Sequence, residues 1–538
     1  MPTIKDYIKN KIKKLFGLAE EERNPDLDRL TFMNNEEQLT KQRIREYNLW
    51  YEGDGDELLN FYTFNNAVEY NYEPFYSRNK RNYFWAISST ESDIKRTHSG
   101  QPRNIVDTLV SIMPFPLIGA GKSIGEGSVN AVEENLKKII KEGKIKDIYR
   151  QEQMPLTLVE GWGCWKINWD KDMSDYPYPV YYRAENVDFI YKSGKMIGVL
   201  FRDYYNDLKN TRYMLCETRR IKLCEDGEKA LVIEKELFRV SGSDDNYIQK
   251  VDFSNVPELS DTQSYIEIGP QDMLFAVPCI FYKNTARTGG YGRSIFTGKI
   301  DLFDDLDQCL SQSSNSVRKS TPVEYFNSNF LERDRNGLPI QPRAYDRKYS
   351  FYKGQVSMDG TVAGDPVQVT QPDINFQQYS DQAISILMQI MNGILSPATL
   401  GIDISKKDNA EAQREKEKIT IFTRNTLVAA ETEILKSLLS QLLCAYEFMC
   451  SGKITVREYD ISIKYSEFAD ESYENKLEKL SAAFNSRNIS EEMYMQKLYG
   501  DSLSEEERRR ELEWLKKNHT EKEAVQEDEE DEDPFAEI

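Results

Sequence analysis

Between Pro278 and Cys450 the chain alternates in a way that leaves few folds open. A strand and a Gly-rich turn lead into one long helix, a strand-rich insert, a second helix, a loop marked by Pro397 and Gly401, and a very long helical run. Ser294–Arg318 carries Ile300, Phe303, Leu306, Leu310 and Val317 at the spacing of one helical face, and Thr321-Pro322 ends it. Val323–Phe326, Tyr349–Tyr352 and Val367–Val369, separated by Asn336-Gly337, Asp359-Gly360 and Gly364, predict a compact, turn-rich β insert. Asp373–Asn392 resumes as helix, and Asn409–Met449 holds helical character for about eleven turns. No catalytic constellation interrupts this order, which describes a chain built to assemble a structure.

The remainder reads as a mixed α+β chain. Glu36–Tyr51, Asp56–Tyr62, Val129–Glu142 and Lys146–Glu160 predict helices; Asn104–Ile112 is helix or strand; residues 63–90 are rich in Asn, Tyr and Phe without clear period. Seven short, turn-bounded runs between Cys164 and Asp252 predict an antiparallel β region within 162–282. Val456–Tyr465 reads as a strand, followed by helices at Glu471–Asn485, Ser490–Tyr499 and Ser504–Asn518, two of them opened by Ser with acidic residues next. No internal repeat is evident.

Composition narrows the function. The 538 residues carry a formal charge of −20; the ten acidic residues and one lysine of Thr520–Ile538 supply −9 of it, so the body is about −11. That tail is expected to be disordered. A chain that grips nucleic acid normally shows a basic footprint, whereas this surface would repel phosphate over much of its extent. Seven scattered cysteines without a CxxC pair predict reduced thiols, and two histidines, His98 and His519, leave metal or His-based chemistry resting on His98 alone. No metal or cofactor is expected. The N-terminal MPTIKDYIKNKIKKLFG lacks the apolar block of a signal peptide and predicts a basic amphipathic helix, docked on its own protein or a partner, with membrane-surface binding as the alternative. No window approaches the length of a membrane span, and no membrane partner is expected.

Three features could carry chemistry. Gly119-Ala-Gly-Lys-Ser123 approaches a phosphate loop, but the first glycine of GxxxxGK[ST] is here Pro116, which has no N–H to offer. A Gly-rich connector is the plainer reading; a packaging ATPase or nuclease using Lys122 is the alternative. Asp301, Asp304, Asp305 and Asp307 cluster on the first long helix, the first three at i, i+3 and i+4, either as a solvated face, a negatively charged channel wall, or carboxylates of a two-metal nuclease. Lys406 and Lys407 lie in the loop before the longest helix, where charges of alternating sign begin.

Several runs, taken in order, resemble tailed-bacteriophage portal proteins, the head-to-tail connector ring through which DNA passes at one capsid vertex. Asn104-Ile-Val-Asp-Thr-Leu-Val with Pro114 is similar to the family's early helix. Gly161-Trp-Gly-Cys-Trp-Lys-Ile-Asn-Trp-Asp170, Pro179-Val through Asp188-Phe-Ile-Tyr191 and Ile197-Gly-Val-Leu-Phe-Arg202 resemble its wing. Pro278-Cys-Ile-Phe-Tyr, Gly292-Arg-Ser and Ile300-Asp-Leu-Phe-Asp-Asp-Leu306 resemble the approach to its stem, and Ser396-Pro-Ala-Thr-Leu-Gly-Ile402 with Ala410-Glu-Ala-Gln-Arg-Glu-Lys416 resembles the tunnel loop and helix of one branch. The resemblance spans about residues 36–500. It implies an α+β portal-type architecture: a basic segment at 1–26, an α/β wing at 27–293, two-helix stem at 294–320 and 372–393, β-rich clip at 321–371, tunnel loop, long tunnel helix and wing return strand at 394–466, helical crown at 467–518, and the acidic tail at 519–538. It implies no enzyme activity, a homo-oligomeric ring (usually of twelve), and a place in the virion after synthesis in the host cytoplasm. Its partners would be a terminase motor, capsid and scaffold proteins, a head-completion protein at the clip, and double-stranded DNA in transit. Lys406 and Lys407 would then face DNA, and Asp301, Asp304 and Asp305 the channel.

Overall fold

The computed structural model describes residues 35–69, 83–87, 94–123, 129–171, 173–206, 211–223, 228–241, 247–269, 272–283, 291–320, 323–327, 329, 333–337, 348–353, 358–359, 365, 367–370, 376–401, 417–454, 459–466, 480–482, 484, 489–490, 493–495, 509–511 and 513–514. The basic N-terminal segment, Lys406 and Lys407, the acidic tail and most of 467–518 lie outside them. The chain divides into two compact units, 1–404 with 416–465, and 405–415 with 466–538. The fold is mixed helix and strand, as α+β requires.

In the first unit, helices α1 (Asn35–Glu52), α2 (Gly55–Glu69), α3 (Gln101–Ser111), α4 (Val129–Glu142), α5 (Ile145–Ile148) and α6 (Met154–Glu160) come before most of the strands. The run expected as one helix over 146–160 is broken by a π-turn, Tyr149–Gln153. Asn104–Ile112 resolves to helix: Pro102 stands in its first turn, and Ile105, Val106 and Leu109 form one buried stripe. Glu160 ties three elements together, accepting from Asn48 on α1 (3.1 Å), from Arg183 Nε (2.8 Å) and from the Ala184 amide (2.8 Å).

Strands β2 (Gly163–Asn168), β3 (Tyr178–Arg183) and β10 (Ala276–Cys279) make an antiparallel sheet in the order β10-β2-β3. Trp165 and Cys164 of β2 are fully buried. Gly292 approaches so closely that a Cβ there would fall 1.9 Å from the Gly161 carbonyl oxygen, so only glycine fits. A second, larger antiparallel sheet runs β4 (Val187–Lys192), β5 (Lys195–Asn206), β6 (Arg212–Leu223), β7 (Lys229–Ser241), β8 (Tyr247–Val251), with β9 (Tyr265–Ile268) on the other half of β7. Leu200, Met214, Cys216, Phe238 and Val240 cluster together, while Tyr213, Leu215 and Leu237 pack with Val256 and Leu259, the alternation that a period of two dictates.

Charges join the two sheets. Arg219 on β6 donates to the carbonyls of Ile167 (2.9 Å) and Phe275 (2.7 Å) and to Glu217 (2.8 Å), and Lys166 on β2 meets Glu217 at 3.0 Å. All three side chains are buried.

Helix α7 (Ile300–Lys319) follows, beginning six residues later than its apolar spacing predicts because 295–299 is a turn. Then come β11 (Val323–Asn327), β12 (Lys348–Tyr352) and β13 (Val367–Thr370), in the order β12-β11-β13, with β11 parallel to β12 and antiparallel to β13. Helix α8 (Phe376–Met391) returns beside α7; a 3₁₀ turn, Pro397–Leu400, and Gly401 in the left-handed region close that stretch. Helix α9 (Lys418–Ser451) is the longest, buried along Leu427, Ile434, Leu435, Leu438, Leu442 and Ala445.

The last strand, β14 (Tyr459–Lys464), pairs antiparallel with β1 (Leu117–Ser123), matching Gly119 with Ser462. The Gly-rich run expected as a connector or a phosphate loop is therefore strand. Its register shifts between Ala120 and Ser123, which places Lys122 at an irregularity of the ladder rather than in a loop curled before a helix.

Candidate functional site: an acidic helix and its antiparallel partner

Helix α7 buries two different stripes. Ile300, Phe303, Leu306 and Cys309 join the main core. Asp304, Asp307 and Ser311, at i, i+3 and i+7, form a polar row that is equally buried. Against that row lie residues 83–85 and 97–99. Asp304 accepts the backbone amides of Phe84 (2.7 Å) and Trp85 (3.3 Å). Asp307 accepts from Trp85 Nε1 (3.1 Å) and the Ser99 amide (2.8 Å), and pairs with His98 Nδ1 (2.7 Å). Ser311 Oγ accepts the Thr97 amide at 2.9 Å. Tyr83 donates its hydroxyl to Asp301.

This corrects the expectation that Asp301, Asp304 and Asp305 share one solvated face. Asp301 and Asp305 are exposed; Asp304 is 3 % exposed and already committed to two amides. Burial drives its carboxyl up to about 7, against the pull of those amides and with help from Asp307 and Asp305. Asp305 is also raised, by partial burial and by Asp301. Of the three, only Asp301 and Asp305 retain the geometry of a charged wall. His98 engages Asp307 through Nδ1 alone, and its ring lies against Trp50 and Trp85, with centroids at 5.5 Å and 6.5 Å. Among the described residues no group of three or more His, Cys, Asp or Glu is placed to hold a metal ion.

Helix α8 runs antiparallel to α7, as four contacts fix. Lys299, just before α7, donates to the carbonyls of Gln389 (2.8 Å) and Asn392 (3.2 Å) at the end of α8. Cys309 Sγ lies 3.4 Å from the Tyr379 carbonyl, and Ser316 Oγ 3.3 Å from the Tyr379 hydroxyl, near the start of α8. The Lys299 ammonium thus caps the negative end of the α8 dipole.

The outer side of α8 is apolar too. Ile386, Ile390 and Met391 are buried, yet Phe376, Ile384 and Met388, on one row at i, i+8 and i+12, are 59 %, 42 % and 49 % exposed. The small sheet between the helices shows the same character: Val367 and Val369 are exposed and every residue of β13 faces solvent. At the start of α9, Ile419 and Phe422 are exposed one turn apart. A helix apolar on two sides needs a second packing partner.

The spacing of α7 and α8 made both helices legible. It did not reveal that residues 83–85 and 97–99 cover the Asp304 row, nor the buried pair of Glu431 with Gln153 (2.9 Å) and the Lys166–Glu217–Arg219 cluster. Glu431 had a usable signal: an acid on the row Leu427, Glu431, Leu435, Leu438, where apolar residues are otherwise continuous. No protein-family model matches the chain, and no curated protein matches it in sequence.

Proposed function

We propose that this chain is the subunit of a portal ring: an oligomer at one capsid vertex that forms the channel for DNA packaging and ejection and the platform on which a terminase motor and head-completion proteins dock. The observation that carries this reading is the antiparallel pair α7 and α8, joined through a small sheet with little core of its own and carrying an exposed apolar row along α8. Copies packed side by side around an axis would bury that row and turn Asp301 and Asp305 toward neighbours or the channel. An acidic wall suits a conduit, because each phosphate contact raises affinity and would slow sliding DNA. In this reading α7 and α8 are the stem, the 323–370 sheet the clip, α9 the tunnel helix, and Lys406 and Lys407 the weak DNA contacts of the tunnel loop.

Electron microscopy of negatively stained purified protein tests the reading. Rings with a central hole are expected; particles that stay monomeric under all conditions, including co-expression with assembling heads, refute it. Replacing Lys406 and Lys407 together by alanine should change packaged DNA length or retention while leaving rings intact. Metal-dependent ATP turnover that disappears in Lys122→Ala would favour the packaging-enzyme alternative instead.

A further inference from the structure

Glu431 stands in the middle of α9 and is fully buried, as is Gln153, the last residue of the π-turn opposite it. Gln153 Nε2 donates to Glu431 Oε2 at 2.9 Å. The other oxygen of each side chain, Glu431 Oε1 and Gln153 Oε1, is buried without a hydrogen-bond partner among the described residues. An ionised carboxylate here would set a full charge in the core against one amide bond, a heavily disfavoured arrangement. A carboxylic acid resolves the mismatch. It brings one donor, and the pair has one acceptor to spare, the Gln153 carboxamide oxygen.

The groups facing Glu431 do not supply a counter-charge. Tyr149 from the π-turn, Tyr465 after β14 and Cys279 at the end of β10 are all pushed up by burial and are neutral across the ordinary pH range. Arg424, two turns earlier on α9, donates from Nε to the Ile112 carbonyl at 3.0 Å. Burial pushes the Glu431 carboxyl up to about 8, against the Gln153 amide.

We propose that Glu431 and Gln153 form a proton-operated latch between α9 and the π-turn: the neutral carboxyl closes a two-bond pair with the carboxamide, and its ionisation opens the pair and admits water to this part of the core. On opening, the carboxyl proton passes to solvent; Glu431 Oε2 can still accept from Gln153 Nε2, but Oε1, now without a proton to give, is set against the carboxamide oxygen, acceptor against acceptor. The π-turn is the element that yields, because its i to i+5 bonding already departs from the tighter α-helical ladder on either side. The latch belongs to the subunit itself and does not rest on the ring reading.

Amide hydrogen exchange and infrared difference spectroscopy on the full chain test it. In the wild type, protection of the amides of 149–153 and of the α9 turn around Glu431 should fall about 10–100-fold from about pH 7 to about pH 10, after correction for the intrinsic rate. Glu431→Gln, neutral at every pH, should keep its protection. A buried carboxylic-acid carbonyl band should be present in the wild type at about pH 7, vanish by about pH 10, and be missing from Glu431→Gln. Parallel loss of protection in both proteins overturns the latch, as does absence of the acid band at neutral pH; that band decides the matter from the wild type alone should Glu431→Gln fail to fold.

Discussion

Glu217 and Glu431 are both buried carboxyls, and their surroundings push them in opposite directions. Burial alone would raise Glu217, but Arg219, Lys166 and Lys235 overcome it and hold the carboxyl at about 2. Its folded value lies below its ordinary one, so its stabilising contribution is complete above about pH 4.5 and is lost as pH falls toward about 2. Glu431 has the reverse sign: its folded value, about 8, lies above the ordinary one, so the penalty is absent below about pH 4.5 and grows until about pH 8. Each slope should reach at most about 1.4 kcal/mol per pH unit. Urea denaturation across pH should show stability falling on both sides of about pH 4.5, with Glu431→Gln making only the fall between about pH 4.5 and about 8 shallower, the part due to Asp304 remaining. Glu217→Gln should cost about 3–5 kcal/mol at neutral pH, because Lys166 and Arg219 remain buried without their counter-charge. A loss under about 1 kcal/mol would show that the cluster is compensated elsewhere.

At the scale of elements, α7 shows what periodicity can and cannot reveal. Its apolar residues fix the helix and the side turned to the core. The row Asp304–Asp307–Ser311 reads as surface because its partners, residues 83–85 and 97–99, lie more than 200 residues away in sequence. Polar residues buried against a distant backbone look like a solvated face until the tertiary fold is known. The same reason hides β1: Gly119, Gly121 and Lys122 have poor strand propensity, and only the pairing of residues 117–120 and 123 with β14 makes the run a strand. The antiparallel region between Cys164 and Asp252 was legible because alternating apolar residues and intervening turns are local signals; inside 146–160 the local mark is Pro155, which has no N–H for the α-helical ladder, and the helical period around it hid the π-turn. If Asp307 organises residues 83–85 and 97–99, Asp307→Ala should destabilise the chain by about 3 kcal/mol, since three donors lose a buried acceptor. It should also raise amide exchange at 97–99 before the rest of the unit opens. Uniform, global loosening would mean that Asp307 is no more than one core residue among many.

At the scale of the whole molecule, the proposed ring reading gives the row on α8 a part in assembly that is distinct from folding. Ile384 and Met388 are partly exposed in the single chain, so Ile384→Glu with Met388→Glu should leave the thermal midpoint nearly unchanged while abolishing self-association, as read by sedimentation velocity. A double variant that still forms rings would remove α8 from the contact. Pairing of β1 with β14 has a different consequence, for synthesis. The Ser462 hydroxyl reaches the Gly119 carbonyl across 343 positions of sequence. At a ribosomal pace of ~5–20 residues per second, the first of these strands waits roughly 20–70 s for its mate. Through that interval the nascent polypeptide carries an unfinished edge, one that a chaperone could shield, and only the return strand seals it.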